Sequence, residues 1–228
     1  MGPPVEKRRW YEDACGAAFA LEMIGERWAI LIMRELMFGP RRFSDLRRDL
    51  PGISANILTQ RLEGLEANRI VRRRKLPPPA SVQVYELTQW GYEAEPLLKI
   101  LGRWATRHPG HDPSLPLSAA SLMMSFETMV DPERAKGLDA KVGFRLGEER
   151  FAGHIHDGSL KVVRGEPDGA AVTFTGEPTV IAGAVYGGMP LVDPEASGAL
   201  QIEGDAALAA KFVTLFVLPE KLPEENRG

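Results

Sequence analysis

Only one cysteine, Cys15, stands in the 228 residues, so the chain can form neither an internal disulfide nor a cysteine-rich metal site. That scarcity fits a reducing compartment. Long apolar runs are missing as well. The longest helical one, Trp28 to Met33, falls far short of the roughly 18 to 20 residues that cross a bilayer. Met1-Gly2-Pro3-Pro4 is followed by charge and not by an apolar signal core, so the expectation is a cytoplasmic protein. No internal repeat and no low-complexity tract interrupts the chain. The second half has no cysteine, no glycine-rich phosphate loop, and no serine with a histidine and a carboxylate at motif spacing, so neither enzyme activity nor a cofactor is expected.

What remains is ordinary globular composition, 44% hydrophobic and 26% charged, in a length that suits two domains. The charge is unevenly spread. Residues 1–110 hold 18 Lys and Arg against 13 Asp and Glu, whereas residues 111–228 hold 10 against 18. Arg41–Lys75 alone carries ten basic and four acidic residues. A basic half joined to an acidic half implies that the first meets a polyanion and the second does something else.

Apolar residues at three- and four-residue steps predict helices over Ala14–Gly25 and Trp28–Leu36, the second stopped by Gly39-Pro40. Ser44 is placed to cap a short helix Asp45–Leu50, and Pro51-Gly52 closes it. Ser54 is placed to cap the next, which runs to about Asn68 with Leu58, Leu62 and Leu65 on one face and Asn56, Thr59, Gln60 and Glu63 on the other. Two extended runs, Ile70–Leu76 and Val82–Leu87, flank Pro77-Pro78-Pro79 and read as a hairpin. Thr88 then opens a helix Gln89–Arg107 with a kink expected at Pro96.

This order is that of a winged helix-turn-helix, in which the second helix of the pair enters the major groove of duplex DNA. Asn56 and Gln60 suit adenine, Thr59 offers a hydroxyl and a methyl, and Arg61 can reach a guanine or a phosphate. Arg41, Arg42 and Ser54 join them. On the wing, strand alternation sends Arg72 and Arg74 to one face and Arg73 and Lys75 to the other, so Arg72 and Arg74 are taken as the phosphate contacts. The plainer alternatives are a solvated helix face and an edge strand blunted by charge.

His108 to Pro113 has linker composition, which gives residues 1–108 as the DNA-binding and dimerisation domain, 109–117 as linker and 118–228 as a second domain. A helix with Leu122, Met123, Phe126 and Met129 leads into alternating strands, the Asp157-Gly158 turn, a helix near Thr179–Tyr186, a strand at Ala199–Ile202 and an Asp205-capped helix. The fold class is therefore α+β: an N-terminal winged helix-turn-helix plus a C-terminal α+β domain. His154, His156 and Asp157 share the chemistry of metal ligands. With no third ligand in view they read as a solvent-facing strand, and no metal is assigned.

Leu21-Glu22-Met23-Ile24-Gly25-Glu26-Arg27-Trp28, Gly39-Pro40-Arg41-Arg42-Phe43-Ser44-Asp45-Leu46, Leu58-Thr59-Gln60-Arg61-Leu62 and Tyr85-Glu86-Leu87-Thr88-Gln89-Trp90-Gly91 closely resemble HxlR-type regulators over roughly residues 13–107. The resemblance implies a homodimer whose first and last helices form the interface, which places Leu97, Leu101 and Trp104 there. It also implies a pseudo-palindromic DNA operator as partner. Cys15 lies where some members keep a redox-sensing cysteine. The alternatives are a buried small apolar residue, and Glu12 and Asp13 beside it oppose a thiolate.

The second half, with Phe144-Arg145-Leu146-Gly147, Val172-Thr173-Phe174-Thr175-Gly176 and Leu200-Gln201-Ile202-Glu203-Gly204-Asp205, is similar to the sterol-carrier-protein type of lipid-binding domain over roughly 118–218. That similarity implies a hydrophobic small-molecule effector held by Met123, Phe126, Met129, Phe144, Phe174, Val185, Tyr186, Met189, Phe212 and Phe216, each of which is otherwise plain core. The expected function is a ligand-responsive DNA-binding repressor. The alternative is a soluble carrier of hydrophobic molecules whose winged helix serves dimerisation or protein contact.

Overall fold

The computed structural model describes residues 11–223, so the opening Met1-Gly2-Pro3-Pro4 lies outside the described residues. Packing divides the chain between Glu93 and Ala94, ahead of the proline-bearing segment 109–117 from which a boundary is expected. Among the described residues, no helix is long and apolar enough to cross a membrane.

The first unit opens with α1 (Gly16–Ile24) and α2 (Ala29–Leu36), continues through α3 (Phe43–Asp49) and α4 (Ala55–Ala67), and ends in the hairpin β1 (Val71–Lys75) and β2 (Gln83–Leu87) followed by the single turn α5 (Gln89–Tyr92). Its core is made where the apolar stripes meet: Ile32, Met33 and Leu36 of α2, Leu46 of α3, and Leu58, Leu62 and Leu65 of α4 are all sealed from solvent. Each such side chain contributes about 1.5 to 3 kcal/mol on burial. Ser54 caps α4 as its sequence requires, its Oγ accepting from the Ile57 N–H at 3.3 Å, and Thr88 caps α5 in the same way through Gly91 N–H at 3.1 Å.

Two local expectations are corrected. Ser44 is not a cap but the second residue of α3; Arg42 occupies the N-cap position, and Asp45 accepts its backbone N–H at 3.2 Å. The longer side chain of Asp45 reaches back over the first turn, so the helix begins two residues earlier. The helix expected over Gln89–Arg107 is broken rather than kinked: α5 stops at Tyr92 and α6 (Glu95–Ala105) begins anew. Pro96 has no N–H, and its ring would strike the carbonyl four residues back, that of Tyr92, so it sits in the first turn of a new helix where neither matters.

In the second unit α6 is joined by α7 (Ala119–Met129) and α8 (Pro132–Ala135). The strands β3 (Ala140–Leu146), β4 (Glu149–His156), β5 (Ser159–Arg164) and β6 (Val172–Gly176) follow, then α9 (Pro178–Tyr186), α10 (Val192–Ala196), β7 (Leu200–Gly204) and α11 (Ala206–Phe212). The five strands lie in the order β5-β4-β3-β6-β7, all antiparallel except β3 beside β6. Alternation sorts the faces. Val142, Phe144, Phe151, Ile155, Leu160 and Phe174 are buried on one side, where α7, α9 and α11 pack, while His154, His156 and Lys161 face solvent on the other. The β4–β5 turn places Asp157 at φ 48° and Gly158 at φ 72°, the two consecutive left-handed residues that a tight hairpin needs and that Asp-Gly tolerates best.

Candidate nucleic-acid interface

The α4 helix presents Asn56, Thr59 and Gln60 on its exposed face, one above the other at positions i, i+3 and i+4, directly opposite buried Leu58, Leu62 and Leu65. Their side chains have no hydrogen-bond partner among the described residues. A helix face of unpaired amide and hydroxyl groups, anchored from behind by leucines, is chemically equipped to read base edges. Ser54 directs its hydroxyl inward as the cap, and Arg42 is exposed at the start of α3.

The arginines behave less uniformly than their number implies. Arg41 is buried, pairs with Asp49, and exchanges backbone hydrogen bonds of 2.9 and 2.8 Å with Tyr85, so it ties α3 to the wing instead of facing outward. That removes its guanidinium from the set expected on DNA. Arg61 curls back onto the turn between α1 and α2, donating to the Arg27 carbonyl at 2.9 Å and to Glu26 at 2.8 Å. On the wing, alternation operates as the strand pattern requires. Arg72 and Arg74 project together and share one carboxylate, Glu86, at 3.0 and 2.9 Å, while Arg73 turns the other way onto Glu66 of α4 and lies 5.9 Å from the Tyr85 ring centre. Glu66 and Glu86 were not legible as partners, since both pairings depend on strand register and helix docking, not on neighbouring positions in sequence.

Cys15 is exposed and occupies the N-cap of α1, not a buried apolar site. Backbone N–H groups of Ala17 and Ala18 aim at its sulfur and hold the thiol below its ordinary pKa. Leu97, Ile100, Leu101 and Trp104 recur along α6 and stay exposed, Trp104 at 70%, while Leu98 on the other side of the helix is buried. The inner side also carries Lys99. It pairs with Glu95 and, at 2.7 Å, with Glu127 of α7, whose second oxygen accepts the Val162 N–H at 2.6 Å. Burial alone would lower the Lys99 pKa, but the two carboxylates outweigh it and hold the ammonium above its ordinary value.

In the second unit the residues expected to hold an apolar guest converge on one cluster. Phe126 is its centre, with ring centroids 5.8 Å from Phe144, 5.5 Å from Phe212 and 4.7 Å from Phe216; Phe174 stacks on Phe144 at 5.9 Å. Met123, Met129 and Val185 are buried, whereas Met189 is 42% exposed and stands at the margin. The Tyr186 hydroxyl lies 2.7 Å from the Ser125 hydroxyl, and burial raises its pKa well above the usual tyrosine value.

Comparison with known proteins also separates two regions, with the division after residue 112 and not between Glu93 and Ala94. Residues 23–112 match the HxlR-like helix-turn-helix family, and residues 115–222 match the alkyl sulfatase C-terminal family, a different assignment from the sterol-carrier type that the spaced pattern resembles. The HTH-type transcriptional regulator YodB of Bacillus subtilis (strain 168) is 37% identical over 86 residues, 38% of this chain and 77% of its own. YvaP of the same organism, an uncharacterised HTH-type regulator, is 34% identical over 38% of this chain and 81% of its own. Among solved structures, the reduced form of YodB is 34% identical with a TM-score of 0.38 over 42% of this chain and 94% of that one. The sec-alkylsulfatase Pisa1 from Pseudomonas sp. is 15% identical with a TM-score of 0.41 over 45% of this chain and 16% of that one. Sequence identity over most of a regulator's length, together with the helix order and wing described above, shows that the chain belongs to the HxlR-like helix-turn-helix family of transcriptional regulators.

Proposed function

We propose that the protein is a dimeric DNA-binding repressor in which α4 lies in the major groove and the wing rests on the flanking phosphates. The observation that carries this reading is the row Asn56, Thr59 and Gln60, exposed and without partners among the described residues on a helix whose other face is locked in the core. Arg42 at the start of α3 and Arg72 and Arg74 on the wing supply positive charge for the backbone. A twofold dimer reads two half-sites about 34 Å apart, which makes the operator pseudo-palindromic. Footprinting of the promoter regions nearest its gene tests the reading. Gln60→Ala should weaken protection by about 1 to 3 kcal/mol and relax preference at one base pair of each half-site, and equal binding of wild type and variant to every sequence would sink it.

The exposed stripe on α6 is the proposed contact between copies. Four large apolar side chains on one helix face are costly in water and are covered when two such helices pack. Trp104→Glu should convert the dimer to monomer in sedimentation experiments, and an unchanged dimer would place the interface elsewhere.

In the second half, the phenylalanine cluster with its half-buried Tyr186–Ser125 hydroxyl pair is the proposed point of action of a hydrophobic effector. The central rings already touch, so entry is assigned to the margin, where Met189 is exposed. An effector that favours one dimer geometry by about 1 to 3 kcal/mol is enough to regulate binding. Cys15 is a second proposed input. Exposure and two backbone donors favour its thiolate, and peroxide treatment should convert this residue to sulfenic acid, or to a mixed disulfide when a small thiol is added to condense with it, by mass spectrometry; a thiol that stays reduced ends that role.

A further inference from the structure

The solvent face of β4 gathers chemistry that the regulator reading leaves unused. His154 and His156 are alternate residues of one strand, so both rings project to the same side and stack with centroids 5.4 Å apart. Asp139 immediately precedes β3, and the β3–β4 register carries it to a place beside both histidines. Its Oδ1 lies 2.7 Å from His154 Nε2 and its Oδ2 lies 3.1 Å from His156 Nδ1. The three ligand atoms all fall within 4.8 Å of one another. On the far side of His156, Nε2 is 3.1 Å from the Asp157 carboxylate.

This arrangement has a consequence in hydrogen-bond inventory. A neutral imidazole has one N–H and one lone pair, yet His156 faces a carboxylate at each nitrogen. A doubly protonated ring would donate to both carboxylates, whereas a neutral ring whose Nε2–H donates to Asp157 turns its Nδ1 lone pair toward Asp139, the arrangement in which a metal ion can bridge the two. A carboxylate that fixes one imidazole nitrogen so that the other binds metal is the usual outer support of a histidine ligand. We infer that Asp139, His154 and His156 form a binding site for a divalent transition-metal ion, with Asp157 orienting His156.

Two features define the class of ion. Metal–nitrogen and metal–oxygen bonds of about 2.0 to 2.2 Å set tetrahedral ligand atoms about 3.3 to 3.5 Å apart. The exposed side chains reach that spacing by small rotations, with the strands unmoved. Lys141 of β3 and Lys161 of β5 stand opposite His154 in register, the latter 3.6 Å from Glu95. Positive neighbours oppose any ion held by charge alone, and two imidazoles with one carboxylate are a donor set for transition metals and not for calcium or magnesium, which take oxygen ligands. Three protein ligands on an exposed strand leave a fourth position for water or another donor.

Calorimetric titration of the full chain with zinc chloride in a non-chelating buffer tests the site. One zinc ion per chain is expected. His154→Ala, His156→Ala and Asp139→Ala should abolish binding, while Asp157→Asn should weaken it by about 10- to 100-fold. The double variant His108→Ala/His111→Ala and Cys15→Ser should bind as wild type does. Because His154, His156 and Asp139 are exposed, folding of their variants can be verified by an unchanged urea midpoint without zinc. The His154 and His156 ring proton resonances should shift on zinc addition, and those of His108 and His111 should not. Stoichiometric binding that survives His154→Ala, equal binding of calcium, or no binding at millimolar zinc would each overturn the inference.

Discussion

DNA affinity of this regulator is expected to fall by about a thousandfold to a hundred-thousandfold as salt rises from about 50 to about 200 mM, the range for about six to ten phosphate contacts per dimer. The charge at the interface is not freely available, which shapes the second arm of the experiment. Glu86 pairs with both Arg72 and Arg74 from the neighbouring strand, holding two guanidinium groups while offsetting one of their two charges. Glu86→Gln should free two guanidinium groups per protomer, tighten binding at low salt and steepen the salt dependence by about one per added phosphate contact. Fluorescence anisotropy with a duplex operator measures both slopes. A flat wild-type response would remove duplex DNA as the partner. A Glu86→Gln slope equal to that of wild type would remove the wing from the phosphate contacts.

Lys99→Met is expected to destabilise the second unit by about 3 to 5 kcal/mol, because it leaves the Glu127 carboxylate, only 5% exposed, without its ammonium partner. Restoring neutrality with Lys99→Met/Glu127→Gln should recover most of the loss, since the amide oxygen still accepts from Val162. Urea unfolding measures the difference, and a single-variant loss below about 1 kcal/mol would show that the pair is already broken in solution. The same network fixes a pH signature. Lys99 has a raised pKa, so its contribution is complete at neutral pH and is lost only as pH climbs past the ordinary lysine value of 10.5 and through the raised one. Burial opposes ionisation of Glu95, but Lys99 and Lys161 more than compensate and lower its pKa, so its contribution fades as pH falls below the ordinary 4.5. The second unit should therefore be least sensitive to pH between these limits.

Local rules read well from sequence wherever the partner is a few residues away. Ser54, Thr88 and Asp205 cap the helices they precede, the last by accepting from Ala207 and Leu208 at 2.9 and 3.0 Å, and Asp157-Gly158 makes the turn its dipeptide announces. The winged helix-turn-helix order and the α+β class follow from such signals added together. What escaped depends on docking. Arg41 looks like a surface cation until its backbone pairs with Tyr85, more than forty positions on, and draws the side chain inward. Asp139 is an unremarkable loop residue until strand register sets it against two histidines. Pro96 misleads by a smaller margin: it marks the site of a helix break correctly, but the chain answers with two helices where a bend was expected.

The placement of α6 also changes where the molecule can be cut. The family match runs to residue 112, yet Leu98 and Lys99 are held by the second unit. A fragment ending near His108 would carry a helix stripped of its inner support, with apolar surface bare on both sides. One helix thus has two distinct sides: its inner face packs on α7, while Leu97, Ile100, Leu101 and Trp104 on its outer face stay open to solvent.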